Sequence, residues 1–499
     1  MIRLIENARF YAYDRAARSF VRHRSLLVDG TRIAAVDEEP VGAGVQRIDL
    51  DGLTVVPAFT DCHVHLAETG HHVGDRSLRA VGSYDEYASR IERARPEHGM
   101  LYMGLFDDAL WADGTADARP IERAHRDAIA MIVRIDGHSS IVNRKTLAWL
   151  ELPGGVNGIE RDERGDPTGR LFYDANWRAQ KTLLERMPVE AVRAAERRAA
   201  SVALANGIVA VHAQLLGRDA DGYAADIESF RALPITVHPK ICEPDARIAQ
   251  RFDLPYVGGD VFLDGSIGSC TAALERPYLE GGRGELRFSD DELFDYFSTA
   301  EELGVSAGVH AIGDAAIDQC IRTWTRVLGG RPSARGCRHF IEHFELARQE
   351  HIEACASMQI HLSMQPQFDA YWGADGGMYE HRLGRDRKRS MNALRDIVTA
   401  GTPLCGGSDS PVCEFDALAG MQACVAHHEP AQRLWVHEAL ALYTVAAARF
   451  GFVEAETGNL EAGLHADLAV LDGDPFERGS FEQIRVVETW RQGEIVTPR

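Results

Sequence analysis

The stretch TVVPAFTDCHVHL, residues 54–66, sets an apolar run against a His-x-His pair. Thr54 to Phe59 has the length and composition of a buried strand, and His63 and His65 follow it closely. Residues two apart on an extended chain point to one side, so both imidazoles can face one metal. Imidazole is a preferred zinc ligand. The pair alone carries little weight. With 20 histidines in 499 positions, chance supplies about 0.8 such pairs, an estimate resting only on the two-residue side-chain period of a strand.

Working outward, short apolar runs recur at Ile208–His212, Ile235–Ile241, Val261–Leu263, Ser306–His310, Phe340–His343, Ile360–Met364 and Pro403–Gly406. Helical patterns separate several of them: Val189–Ala205, Asp290–Leu303 and Ala315–Leu328. With Thr54–Phe59 these make eight strands alternating with helices, the sign of βα units and a parallel sheet. The expected fold is α/β, a (β/α)8 TIM barrel, with a doubly wound open sheet as the alternative. Thr69–Arg198 is too long for one connection and reads as an inserted subdomain.

The two ends have a different texture. Leu4–Tyr13, Ser25–Val28 and Arg32–Val36 are strand-like, with a turn at Asp29-Gly30, and so are Ala466–Leu471, Ile484–Trp490 and Glu494–Thr497. Neither end can bury a core alone, which predicts a small β-sandwich formed by both chain termini. The expected organisation is therefore 1–53 as the N-terminal part of the sandwich and 54–440 as the barrel, with its insert at about 69–198. Residues 441–499 supply a C-terminal helix and the remainder of the sandwich.

Three residues repeat the placement of the His pair. His310 closes Ser306–Val309, His343 closes Phe340–Glu342, and Asp409 follows Pro403–Gly407. Each ends a predicted strand, where barrel enzymes carry their catalytic groups. One strand-end histidine is more often structural. Four histidines and an aspartate, all so placed, are hard to assign to packing.

Composition narrows the function classes. A formal charge of −21 argues against general nucleic-acid or anionic-membrane binding, both of which need a positive surface. Nine cysteines, an odd number with no CxxC pair, suit a reducing compartment and argue against a disulfide framework or a cysteine zinc cage. No signal-peptide core or membrane-length apolar run is present. The expectation is a soluble cytoplasmic protein whose partner is a small-molecule substrate.

At this point the chain resembles the metal-dependent amidohydrolase superfamily, in its N-substituted formamide deformylase-like branch. The matching pieces are PAFTDCHVHL (57–66), VRIDGHSSIVNRKTL (133–147), LDGSIGSCTAAL (263–274), VHAIGDAAID (309–318), IEHFEL (341–346), SMQPQF (363–368), GGSDSPV (406–412) and GNLEAGLHADLAVLDGDPF (458–476). They span nearly the whole chain in the family's order. The resemblance implies one or two divalent metals, zinc foremost, held by His63, His65, His310, His343 and Asp409. It also implies a barrel flanked by a sandwich, and a homodimer. On this reading zinc activates a water, Asp409 shuttles its proton, and His343 either binds a second metal or polarises the carbonyl. His138 matches a characteristic family position and is either a substrate-pocket residue or a hydrogen-bonded structural one.

The match breaks at one place. The family usually has a lysine four residues before the aspartate of its DGS segment, carbamylated in two-metal members. Here the DGS aspartate is Asp264 and that position is Asp260. Three accounts follow: a single zinc with His343 as a catalytic side chain, Asp260 itself bridging two metals, or Lys240 supplying the carbamate from a neighbouring strand. Cys270 also stands where the family has an arginine. The basic run Arg382–Arg389 reads as a solvated face. The expected activity is zinc-dependent hydrolysis of a non-peptide C–N bond in an amide, formamide or cyclic amide. The alternatives are a one-metal deaminase acting on an amidine-like ring carbon and, from another class, a catalytically inactive metal- and ligand-binding pseudoenzyme.

Overall fold

The structure, a computed structural model, describes residues 2–38, 44–108, 111–112, 114–135 and 137–497. The outermost residues of the expected sandwich, its 39–43 segment, and Asp136 of the DGH motif lie outside the described residues. The chain divides into two compact units, Met1–His65 with Ala203–Arg499, and Leu66–Val202.

Eight parallel strands run through the larger unit: β1 (Phe59–Val64), β2 (Ile208–Leu215), β3 (Thr236–Ile241), β4 (Tyr256–Val257), β5 (Ser306–Ala311), β6 (Phe340–His343), β7 (His361–Met364) and β8 (Leu404–Gly406). They form two sheets, ordered β3-β2-β1 and β4-β5-β6-β7-β8. Every residue of β1, β2 and β5 to β8 is buried, as expected of parallel strands covered on both faces. Among the described residues no continuous ladder joins the sheets. Isolated bonds do: Gly258 N, just past β4, donates to Ile241 O of β3 at 2.8 Å, and past β8 Asp409 N donates to His63 O at 2.8 Å while Ser410 O accepts from His65 N at 3.0 Å.

The helices follow local rules. The helix Asp290–Leu303 starts at a capping box, Ser289 with Glu292, and stops at Gly304 in the left-handed region, which satisfies the open backbone groups at both ends.

Two of the eight expected barrel strands need correction. Thr54–Phe59 is not one strand. Thr54–Pro57 pairs with Leu468–Leu471 in a terminal sheet, whereas Phe59–Val64 pairs with β2. The backbone changes partners at Ala58, so the chain leaves one sheet and enters another, and His63 lies within β1 rather than after it. Val261–Leu263 is not a strand either. The strand at that position is Tyr256–Val257, and Gly258 and Gly259 then turn the chain at φ of 86° and 115°, angles that strongly favour glycine. Beyond them the chain resumes parallel pairing with β5 at a single bridge, Phe262 beside His310, where His310 N donates to Val261 O and Leu263 N to His310 O, both at 3.0 Å.

Six strands from both termini form one sheet and four N-terminal strands another. Ile5, Leu26, Val28 and Ile33 of the smaller sheet share one apolar cluster with Phe10, Val55, Leu468, Val470 and Trp490 of the larger. Leu4–Tyr13, expected as one strand, is divided between these sheets at Asn7, whose φ is 54°. The Leu66–Val202 unit carries a five-stranded sheet of its own. Its strands alternate between two cores, Leu101, Met103, Ala130 and Ile132 facing one and Met100, Tyr102, Met131 and Val133 the other, the two-residue period of a sheet covered on both sides.

Gly308 in β5 permits a close approach. A Cβ there would lie 2.0 Å from the buried Phe340 ring. Gly308→Ala is expected to cost about 1–3 kcal/mol through overpacking, read as a lower thermal midpoint; an unchanged midpoint would show that the ring repacks freely.

Candidate metal centre

The alternation of β1 aims Asp61 and His63 to one side, continued by His65, and leaves Cys62 among Tyr256, Phe340, Cys405 and Phe450. Asp61 is structural. Its carboxylate accepts from Ser408 N at 3.0 Å and His63 N at 3.1 Å, tying β1 to the turn after β8, and burial pushes its carboxyl up to about 6. Gly407 lies beside it, where a Cβ would meet His63 N at 2.6 Å.

Four of the expected residues and the odd aspartate converge. His65 Nε2 lies 3.2 Å from Asp260 Oδ2 and 3.1 Å from Asp409 Oδ1. His63 Nε2 lies 3.5 Å and 3.3 Å from the same two oxygens. The other oxygen of Asp260, Oδ1, faces His343 Nε2 at 3.7 Å. His63 with His65 and Asp260, and His63 with His343 and Asp409, form two sets whose ligand atoms all lie within 4.8 Å of one another. His310 stands beside these sets: its ring packs on His343 with centroids 4.5 Å apart.

His63 Nε2, Asp260 Oδ1, Asp409 Oδ1 and His310 Nδ1 are buried and have no hydrogen-bond partner among the described residues. Buried polar atoms are normally paired, and each exception needs an explanation. Charge points the same way. Lys240 pairs with Glu342, which leaves the two negative charges of Asp260 and Asp409 without a fixed cation. The bare protein answers by loading protons onto histidine. Burial would lower His63, but Asp260, Glu342 and Asp409 outweigh it and raise it well above its ordinary value. Burial would likewise raise Asp260 and Asp409, yet the neighbouring histidines hold both below the usual carboxylate range. Nitrogen and oxygen donors of this kind, two charges short of neutrality, fit a divalent cation.

Apart from Asp264, the supporting shell escaped sequence reading. Glu342 Oε2 lies 2.8 Å from His63 Nδ1, and Gln365 Oε1 lies 2.8 Å from His343 Nδ1. Gln214 Oε1 accepts from Asp260 N at 3.3 Å. Asp264 clasps the turn after β5, accepting from Ile312 N, Gly313 N and Ala273 N at 3.1, 2.8 and 2.9 Å. Glu345, fully buried, is pushed up to about 7 by that burial and accepts from the Tyr379 hydroxyl at 2.5 Å. The one signal available was adjacency, since Glu342 and Glu345 flank His343 in IEHFE.

Backbone strain collects here. His343 and Asp409 adopt φ of 73° and 53°, a left-handed conformation that costs a non-glycine residue about 1–3 kcal/mol and clusters at functional sites.

The remaining candidates make other contacts. Lys240 Nζ is bound to Glu342 Oε1 at 2.6 Å and donates to Cys62 O at 3.1 Å. His138 is exposed in the Leu66–Val202 unit, edge-on to Trp177 with centroids 5.8 Å apart. Cys270 packs against the apolar cluster of Ile267, Leu274 and Tyr278. In the basic run, Arg382 pairs with Glu280 at 2.6 Å and Lys388 with Asp375 at 2.7 Å.

An α/β fold with this donor set at its strand ends defines the class of metal-dependent hydrolases, and structural comparison agrees on the fold. A metal-dependent hydrolase of Pyrococcus furiosus superposes with a TM-score of 0.77 at 24% identity, over 95% of this chain and all of that one. One of Pyrococcus horikoshii OT3 gives 0.76 at 24% identity, over 95% and 98%. The family model described as the amidohydrolase family matches residues 46–497. The chain belongs to the amidohydrolase family, hydrolases acting on carbon–nitrogen bonds other than peptide bonds. Similar proteins include a putative amidohydrolase, YtcJ, of Bacillus subtilis (strain 168), 28% identical over 90% of both chains. The N-substituted formamide deformylase of Arthrobacter pascens is 25% identical over 94% of both.

Proposed function

We propose that the protein is a zinc-dependent amidohydrolase that cleaves an amide, formamide or cyclic amide with an activated water. The observation that carries this reading is the convergence of unpaired, buried nitrogen and oxygen atoms around His63 Nε2 in a site with two uncompensated negative charges. His63, His65, Asp260 and Asp409 would hold one zinc, and Asp260, His343 and His310 are the residues that would hold a second. Bound there, a divalent ion supplies Lewis acidity and brings the ionisation of water to about neutral pH.

The chain's own groups do the rest. Asp409 Oδ1, 3.1 Å from His65 Nε2, accepts the proton of the attacking water and returns it to the leaving nitrogen, base first and acid second. His65 is the most exposed of the four proposed zinc ligands, its side chain 21% accessible against 0–10% for His63, Asp260 and Asp409, so substrate approaches past it. His343 donates Nδ1–H to Gln365 Oε1, because Gln365 Nε2 is turned to Ser363 O at 3.4 Å. That leaves Nε2 with a lone pair, which suits a ligand better than a donor to the carbonyl. We further propose that the two sheets belong to one closed barrel, that the terminal sheets form a sandwich, and that the enzyme is a cytoplasmic homodimer.

The test is metal content per chain by elemental mass spectrometry, with product analysis on formamides, amides and cyclic amides. About one zinc supports the single-ion reading, and about two makes Asp260 the bridge. No metal after reconstitution removes the proposal, and bound metal without turnover of any substrate moves it to the pseudoenzyme. Ammonia without an acid or amine fragment moves it to deamination.

A further inference from the structure

Lys240 is among the largest fully buried side chains of the protein, and neither of the proposed metal positions touches it. A buried ammonium is costly unless it is paired and hydrogen-bonded, and here it is both. Nζ binds Glu342 Oε1 at 2.6 Å and Cys62 O at 3.1 Å, and lies 4.7 Å and 4.4 Å from the ring centroids of Phe340 and Phe450. The second oxygen of Glu342 reaches His63 Nδ1 at 2.8 Å. Lys240 and Glu342 both have fully inaccessible side chains.

We propose that Lys240 and Glu342 are positioning residues for the zinc site, a buried ammonium–carboxylate–imidazole chain that fixes the tautomer and ring orientation of His63. Lys240 pairs with one oxygen of Glu342, and the other oxygen accepts Nδ1–H of His63, which leaves the Nε2 lone pair facing Asp260 and Asp409. Gln214 Nε2 also lies 3.1 Å from His63 Nδ1, but it is itself a donor, so the closer, charged carboxylate takes the proton. The same geometry removes Lys240 as a bridging carbamate. Carbamylation would replace a positive charge by a negative one against Glu342, in a place without solvent. A metal-ligating histidine held through its other nitrogen by a carboxylate is a general device, and losing such a partner costs about 10–100-fold in metal affinity or activity.

This inference rests on the zinc reading above, and the test separates the two. Zinc affinity of full-length apo protein is measured by chelator competition for wild type, Glu342→Gln, Lys240→Met and the double variant. Glu342→Gln and Lys240→Met are each expected to weaken zinc about 10–100-fold, and the double variant no further than the worse single one, since the residues act in series. Wild-type affinity in Glu342→Gln overturns the positioning role alone. Failure of wild type to bind zinc overturns the metal reading itself. A second measurement needs no variant to fold. In zinc-loaded wild type with 15N-labelled histidine, His63 is expected to carry its proton on Nδ1, and a proton on Nε2 overturns the proposal. So does a carbamate carbon signal from 13C-bicarbonate assigned to Lys240.

Discussion

Asp409→Asn is expected to lower kcat about 10²–10⁴-fold, the usual contribution of a positioned general acid–base group, while zinc stays bound. Asparagine keeps the shape and one oxygen, so the contacts now made to His63 and His65 at 3.3 and 3.1 Å can persist. What it loses is a site for the proton of the attacking water. Steady-state kinetics and metal analysis of one preparation separate the roles: lost turnover with metal retained supports the shuttle. Loss of both makes Asp409 chiefly a ligand. Turnover within a few-fold of wild type removes it from the mechanism.

Exchanging both His63 and His65 for alanine is expected to empty the site and reduce turnover to the uncatalysed background. Both nitrogens that approach Asp260 Oδ2 and Asp409 Oδ1 would be gone, leaving two buried carboxylates facing each other without a cation. A ligand that binds only the folded state stabilises it by about 2.7 kcal/mol at 100 times its Kd. Added zinc should therefore raise the thermal midpoint of wild type and leave the double variant unmoved. Unchanged metal content in the variant would sink the assignment of these histidines as ligands.

Both experiments address residues that one-dimensional reading had already singled out, and the reason is local. His63, His65, His310, His343 and Asp409 sit at or just past the ends of short apolar runs, and a run of that kind announces a buried strand through its own composition. The helix Asp290–Leu303 was legible for the same reason, its capping box lying within four residues.

Asp260 shows where such reading stops. Its identity was visible as a departure from the family's lysine, but the segment around it was taken for the approach to a strand. It is instead the link between the turn at Gly258 and Gly259 and a one-residue bridge to β5 at Phe262. Only that path places one carboxylate oxygen toward His63 and His65 and the other toward His343. The partners that orient the ligands were invisible for a related reason. Glu342 and His63 are 279 residues apart, and nothing local to either says that β6 will present a carboxylate to β1. The sequence by itself determined the strand-and-helix alternation, the candidate ligands and the amidohydrolase resemblance, because periodicity and motif are properties of neighbours along the chain. The tertiary structure alone decided which polar atoms are left unpaired, where Asp260 points and what Lys240 is bound to, because burial and hydrogen bonding depend on residues that only folding brings within 4 Å.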